Sequence, residues 1–244
     1  MKKHFKSLSI ALAAVIIFSS CFKIEQVIRF KGLDSGSVEY VVDLSSMMSM
    51  IKSLEGMGGE VNTEEAEEAK TPDSEELIKS SFGEIKIILE AIEGVSGVAL
   101  IDEEEKARFG IRADFASMKA LNTLLSVLND EAEEKKDFTY REFVSRKKNN
   151  YEYLEPIDLK ANLAKSLNME GDSKEEASPL GGVDPMMFFN ELSVSNKMVF
   201  ENKKVKKTTN PASVISEDKH AVQIISYPFK KENTVILKNK VTVQ

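Results

Sequence analysis

The most reactive group in these 244 residues is the one cysteine, Cys21, and its neighbours suggest its chemistry. Phe18-Ser19-Ser20-Cys21 sets two small residues before a thiol, the layout of a bacterial lipobox. At such a site the thiol takes a diacylglycerol, the precursor is cut before the cysteine, and the new amino group is acylated. Phe18 stands where that pattern usually carries Leu, Val or Ile. What precedes it fits: Lys2, Lys3 and Lys6 form a positive start, and Leu8 to Phe18 is apolar apart from Ser9. A membrane-crossing helix needs about 20 apolar residues, so this run is too short to span and reads as a signal peptide over residues 1–20. Two or more acyl chains make an effectively stable anchor. An ordinary signal peptide beside a chance cysteine is the competing reading.

Removing the leader takes away three lysines, His4 and no acid, so the formal charge moves from −7 to −10. With Cys21 acylated, the mature chain from residue 21 to 244 has no free thiol, and His220 is its one histidine. Disulfides, Cys–His catalysis and Cys/His zinc sites are then excluded. A Ser-His-Asp triad would have to use His220, in "SEDKHAVQII", where a solvated residue at the head of a strand is the commoner case. No G-x-S-x-G, H-E-x-x-H, Walker-type loop or G-x-G-x-x-G occurs. "DEEEK" (Asp102–Lys106) lacks the alternating ligands and turn glycine of a calcium loop, and reads as a solvated turn between strands. The chain therefore reads as non-enzymatic, with no cofactor and no metal site.

The elements that would position any site alternate between strands and helices. "FKIEQVIRF" and "SVEYVVDL" flank a Gly/Ser turn and predict a hairpin that starts almost at the anchor. "SSMMSMIKSL" then switches to helix; Met47, Met48 and Ile51 read as adaptable core filler or, alternatively, as the soft lining of an apolar site. Residues 56–72 are glycine-rich and then acidic, with almost nothing to bury, and disorder is expected there. From Ser74 a helix is predicted: Ile78, Phe82, Ile85, Leu89 and Ile92 recur at spacings of 4, 3, 4 and 3, one stripe, and Gly94 closes it. With the methionines, Ile78, Phe82, Ile85 and Leu89 make the candidate ligand lining. Strands flank "DEEEK". Met118, Leu121, Leu125 and Leu128 then mark another helix, and aromatic strands surround Lys147–Asn150. A short helix lies in "IDLKANLAKSLNME", residues 171–182 read as an exposed loop, and strands return with Leu192, Val194, Met198 and Phe200 on one face.

From Lys197 to Lys240 ten lysines stand against four acidic residues. They face anionic head groups or, as the favoured alternative, protect a strand edge from mispairing. Nucleic acid is not an expected partner for an exported acidic chain.

The succession "KGLDSGSVEYVVDLSSMM", "FGIRADFASMKALN" and "NELSVSNKMVFENKKVKKTTNPASVISEDKHAVQIISYP" resembles the LppM-like domain of bacterial lipoproteins over most of the mature chain. The resemblance implies an antiparallel α+β fold related to lipid-binding folds, and carries over no catalytic residue.

The expected architecture is α+β: one domain over 21–244, built as a curved antiparallel sheet of about seven to nine strands with helices on one face. The expected function is a lipoprotein of the bacterial cell envelope, anchored to a membrane, that binds an amphiphile or glycolipid. The alternative is a structural lipoprotein that docks another envelope protein. Phe22, rather than Asp, after the acylated cysteine favours the outer membrane.

Overall fold

The computed structural model describes residues 23–46, 74–129, 140–154, 192–228 and 237–244, with 74–81 as backbone. The leader, Cys21, the Met47–Ile51 stretch, the acidic insertion, and the helix and loop expected over 157–170 and 171–182 lie outside the described residues.

Alternation of apolar and polar residues sets the first hairpin. In β1 (Lys23–Phe30) every second residue is buried. It pairs antiparallel with β2 (Gly36–Asp43), from Lys23 opposite Asp43 to Phe30 opposite Gly36. The turn is closed by Ser35, whose carbonyl accepts from the Lys31 and Gly32 amides at 3.0 and 3.1 Å. Helix α1 (Ser74–Glu90) follows. Its last carbonyls are taken by a tightened turn, with Ala91 N to Ile88 O and Ile92 N to Leu89 O both 3.2 Å. The turn ends at Gly94 with φ +82°, a conformation that glycine adopts without steric cost. Next come β3 (Val95–Glu103) and β4 (Arg108–Phe115), joined by a 3₁₀ turn over Glu104–Lys106, where the solvated "DEEEK" turn was predicted. Helix α2 (Met118–Asn129) follows. Strands β5 (Val144–Lys147) and β6 (Asn150–Tyr153) form a hairpin. The remaining strands are β7 (Ser193–Phe200), β8 (Val205–Thr208), β9 (Val214–Ile215), β10 (Ala221–Ser226) and β11 (Asn239–Val243).

These strands make two sheets among the described residues, not one. The larger runs β3-β4-β2-β1-β7-β10-β9 and the smaller β5-β6-β11-β8. The fold is α+β, as expected, and its main sheet is mixed rather than antiparallel. β1 and β7 run parallel over their full length, Lys23 beside Ser193 and Phe30 beside Phe200. A parallel pair needs a long crossover, and β1 and β7 are separated in sequence by all the elements from β2 to β6.

Register places Phe109, Ile111, Ala113, Val38, Ile24, Ile28, Val194 and Met198 on one face of the main sheet, all buried. Two layers cover that face. Over β3 and β4 lie α1 and α2, with Leu89, Leu121 and Leu125 at 0% exposure. Over β1 and β7 lies the smaller sheet. Phe30 joins the layers, 4.6 Å from the Tyr151 ring, stacked on Phe200 at 5.4 Å, and edge-on to Phe115 at 5.9 Å. At that end Gly36 must be glycine, because an added Cβ would lie 1.8 Å from the Arg29 carbonyl oxygen. The opposite face is polar. Near Lys23, Arg108 reaches Glu25, Glu103 and Asp43 at 3.2, 3.1 and 3.6 Å, so three carboxylates share one guanidinium.

Candidate functional site

Two poles of the main sheet define the possible sites: the Lys23 end, two residues from Cys21, and the Phe30 end. Eight strand residues separate them by about 25 Å.

At the Phe30 end, α1 and α2 border an open cleft of about 690 Å³. That is within the range of small-molecule sites, roughly 300–1,000 Å³. Its apolar wall comes from Ile87, Ile88, Ala91 and Ile92 at the end of α1, with Ala120 opposite. Ser117, Thr123, Lys119 and Glu93 add polar groups. Ile87 is 70% exposed, the most open of the large apolar side chains among the described residues.

Local sequence explains the shape. The α1 stripe through Phe82 and Leu89 is drawn into the core, which turns Ile87 outward by two residues' rotation and leaves Ile88 and Ile92 half-covered. Gly94 brings the connecting strand close to α2: an added Cβ would sit 3.2 Å from the Ala120 Cβ. The Ala116 amide donates to the Gly94 carbonyl at 2.8 Å and fixes the approach. Ser117 caps α2, its hydroxyl accepting from the Ala120 amide at 3.1 Å. Lys119 and Glu93 are both exposed.

The lining expected from sequence lies elsewhere. Phe82 and Leu89 are core residues, 8% and 0% exposed, and Ile85 packs against that core. They sit on the helix face turned to the sheet, where apolar burial is greatest, so none of them lines the cleft. Ile78 falls on α1, with its side chain outside the described residues, as are Met47, Met48 and Ile51 altogether. Ile87, Ile88 and Ala91 were missed. Their signal was an excess: "EIKIILEAIE" holds more isoleucines than one stripe needs, and Ile87 is off its spacing.

A second hollow, about 170 Å³, opens at the same pole over Phe30, Tyr151 and Phe200, with Lys31, Lys203 and the half-exposed Leu33 at its rim. Lys31 is paired with Asp114 at 3.1 Å, and Lys203 donates to the Asn149 side chain at 2.7 Å.

Ser216, Asp218 and His220 are close enough to invite comparison with a triad, but their bonds are those of a turn. The Ser216 hydroxyl donates to Asp218 at 2.6 Å and accepts from the Ala221 amide at 2.9 Å. The His220 ring nitrogen Nδ1 lies 2.8 Å from the Phe200 carbonyl, so it does not address the serine. Donation from Ser216 and from the His220 amide holds the Asp218 carboxyl below its usual range. Glu103 is likewise held low, first by its bond from Lys106. Among the described residues no group of three or more His, Cys, Asp or Glu is placed to hold a metal ion. No helix among them is long and apolar enough to cross a membrane.

No family model matches the chain, and no curated protein does. Among solved structures, the chain is similar to the NMR structure of the folded domain of LppM from Mycobacterium tuberculosis. The two share 12% identity over 92% of this chain and 91% of that one, with a TM-score of 0.42.

Proposed function

We propose that the protein is a lipid-anchored, non-catalytic component of the bacterial cell envelope that binds an amphiphile between α1 and α2. The observation that carries this reading is the open cleft walled by Ile87, Ile88, Ala91 and Ile92. Apolar side chains left exposed in a concave site are most economically explained by an apolar occupant. Lys119, Ser117 and Thr123 in the same lining suit the polar end of such a molecule. The anchor is Cys21, and the partners are the membrane that holds it and the amphiphile.

Filling the cleft tests the reading. Ala91 is exposed, so Ala91→Trp places an indole in the space without disturbing the core. The full chain purified from its membrane should carry an amphiphile detectable by extraction and mass spectrometry. Ala91→Trp should carry at least tenfold less, with an unchanged melting temperature. Equal loading of both proteins contradicts the assignment. Capture of an envelope protein through Ile87, with no lipid extracted, would favour the docking alternative.

A further inference from the structure

One row across the core face of the main sheet is not apolar. Tyr40 on β2, Gln26 on β1 and Asn196 on β7 are direct neighbours, between Ile111 on one side and Ile224 on the other. Gln26 is 2% exposed and Asn196 7%. The Gln26 Oε1 accepts two hydrogen bonds, from the Tyr153 hydroxyl at 2.9 Å and from Asn196 Nδ2 at 2.8 Å. The Nε2 of the same side chain is buried with no acceptor. Native interiors seldom leave such a donor unused, and each case calls for an explanation.

The surroundings indicate what is missing. Oε1 is engaged from the β7 side and from the smaller sheet above. On the other side of β1 lies β2, where Tyr40 stands directly opposite Gln26. Tyr40 is half-buried, as is Val42, the next residue of β2 on this face. Phe109 and Ile111 on one side of them and Ile24 on the other are closed over. Tyr40 and Val42 both lie on β2, which the sheet order places between β4, under the helices, and β1, under the smaller sheet, at the seam of the two covering layers. The Tyr40 phenol stays protonated here, its pKa pushed up to about 12 by burial, and so remains a donor.

We propose that this seam is a second binding position, one that takes the carbonyl oxygen of a neutral acyl ester from Gln26 Nε2 and the Tyr40 hydroxyl. Val42 and Ile24 lie against the hydrocarbon that follows. The neighbouring rows on this face, Phe109–Val42–Ile24–Val194 and Ala113–Val38–Ile28–Met198, contain no cation. A carboxylate or phosphate would therefore be buried unpaired, which is very costly. Donors without a cation select a neutral acceptor. Gln26 is three residues into β1, so this position lies about 10 Å from the anchored end, whereas the α1–α2 cleft is at the far pole. The inference rests on the reading that the chain takes up an amphiphile, and adds the functional group that is recognised.

The full chain is titrated with 1-oleoylglycerol, an ester, and with 1-O-oleylglycerol, the ether that lacks the carbonyl. Wild type should bind the ester about tenfold more tightly, the scale of one good hydrogen bond. Tyr40→Phe should narrow the preference to about threefold, the part that Gln26 Nε2 still supplies, with its melting temperature unchanged. Equal affinities in wild type, as a trapped water or a closed seam would give, overturn the proposal and leave the α1–α2 cleft standing. A preference undiminished by Tyr40→Phe also overturns it. Binding of neither probe overturns both readings. Should Tyr40→Phe melt lower, the wild-type ester-to-ether ratio decides alone.

Discussion

Asn122 shows how one polar side chain can hold two layers together. It lies on α2 at 2% exposure, where its Oδ1 accepts from the Phe143 and Val144 amides at 2.9 and 2.8 Å and its Nδ2 donates to the Val144 carbonyl at 2.8 Å. One turn on, Ser126 accepts from the Arg141 amide at 3.0 Å. The helix thus satisfies the backbone at the start of β5, which would otherwise present unpaired groups. Asn122→Leu keeps the volume and strands two amides and a carbonyl in the interior, at about 1–3 kcal/mol each. We expect a loss of about 4 kcal/mol in denaturant unfolding; a loss under 1 kcal/mol would show that β5 is satisfied some other way. The residue was not legible in sequence. Asn122 reads as a polar position beside a leucine stripe, and only the distant strand that it bonds makes it a core residue.

At the scale of elements, local rules succeeded wherever the information is local. The stripe through Leu121 and Leu125 does face the core. Alternation in "LSVSNKMVF" does bury Leu192, Val194, Met198 and Phe200 together. Gly94 does adopt positive φ at the end of the α1 turn. What failed was long-range. Hairpin-length connections suggested antiparallel pairing throughout, and the β1–β7 pair, joined through a long crossover, is invisible to that argument. The division into two sheets was missed for the same reason, because β11 chooses β6 and β8 as partners across long stretches of chain. The lysine-rich segment is now placed: Lys206 and Lys207 lie exposed on β8, an outer strand of the smaller sheet. That position suits charges that discourage edge-to-edge pairing. The cleft was half-legible. Its helix was identified, but the stripe that defines a helix is the face that the core consumes. A binding surface on the same helix has to be sought among the apolar residues left over.

For the whole molecule, polarity is the organising feature. β1 begins two residues from Cys21, so an acylated cysteine would hold the Lys23 end of the sheet at the bilayer and point the α1–α2 cleft about 25 Å away from it. Labelled fatty acid should enter the wild-type chain and be lost from Cys21→Ser; equal labelling of the two would remove the anchor from the account. The ester position proposed at the seam lies near the anchored end, and the cleft at the far one. A chain arranged in this way can meet lipid at its base and hold an amphiphile beyond the reach of the bilayer. The central claim is that the distal cleft between the helices is occupied by a hydrocarbon chain. Photo-crosslinking of the full chain with a diazirine-bearing fatty acid, followed by peptide mapping, addresses it most directly. The account predicts label on Ile87–Ile92 and on Ser117–Thr123, sharply reduced in Ala91→Trp. Label absent from both segments, or undiminished by the tryptophan, would contradict it.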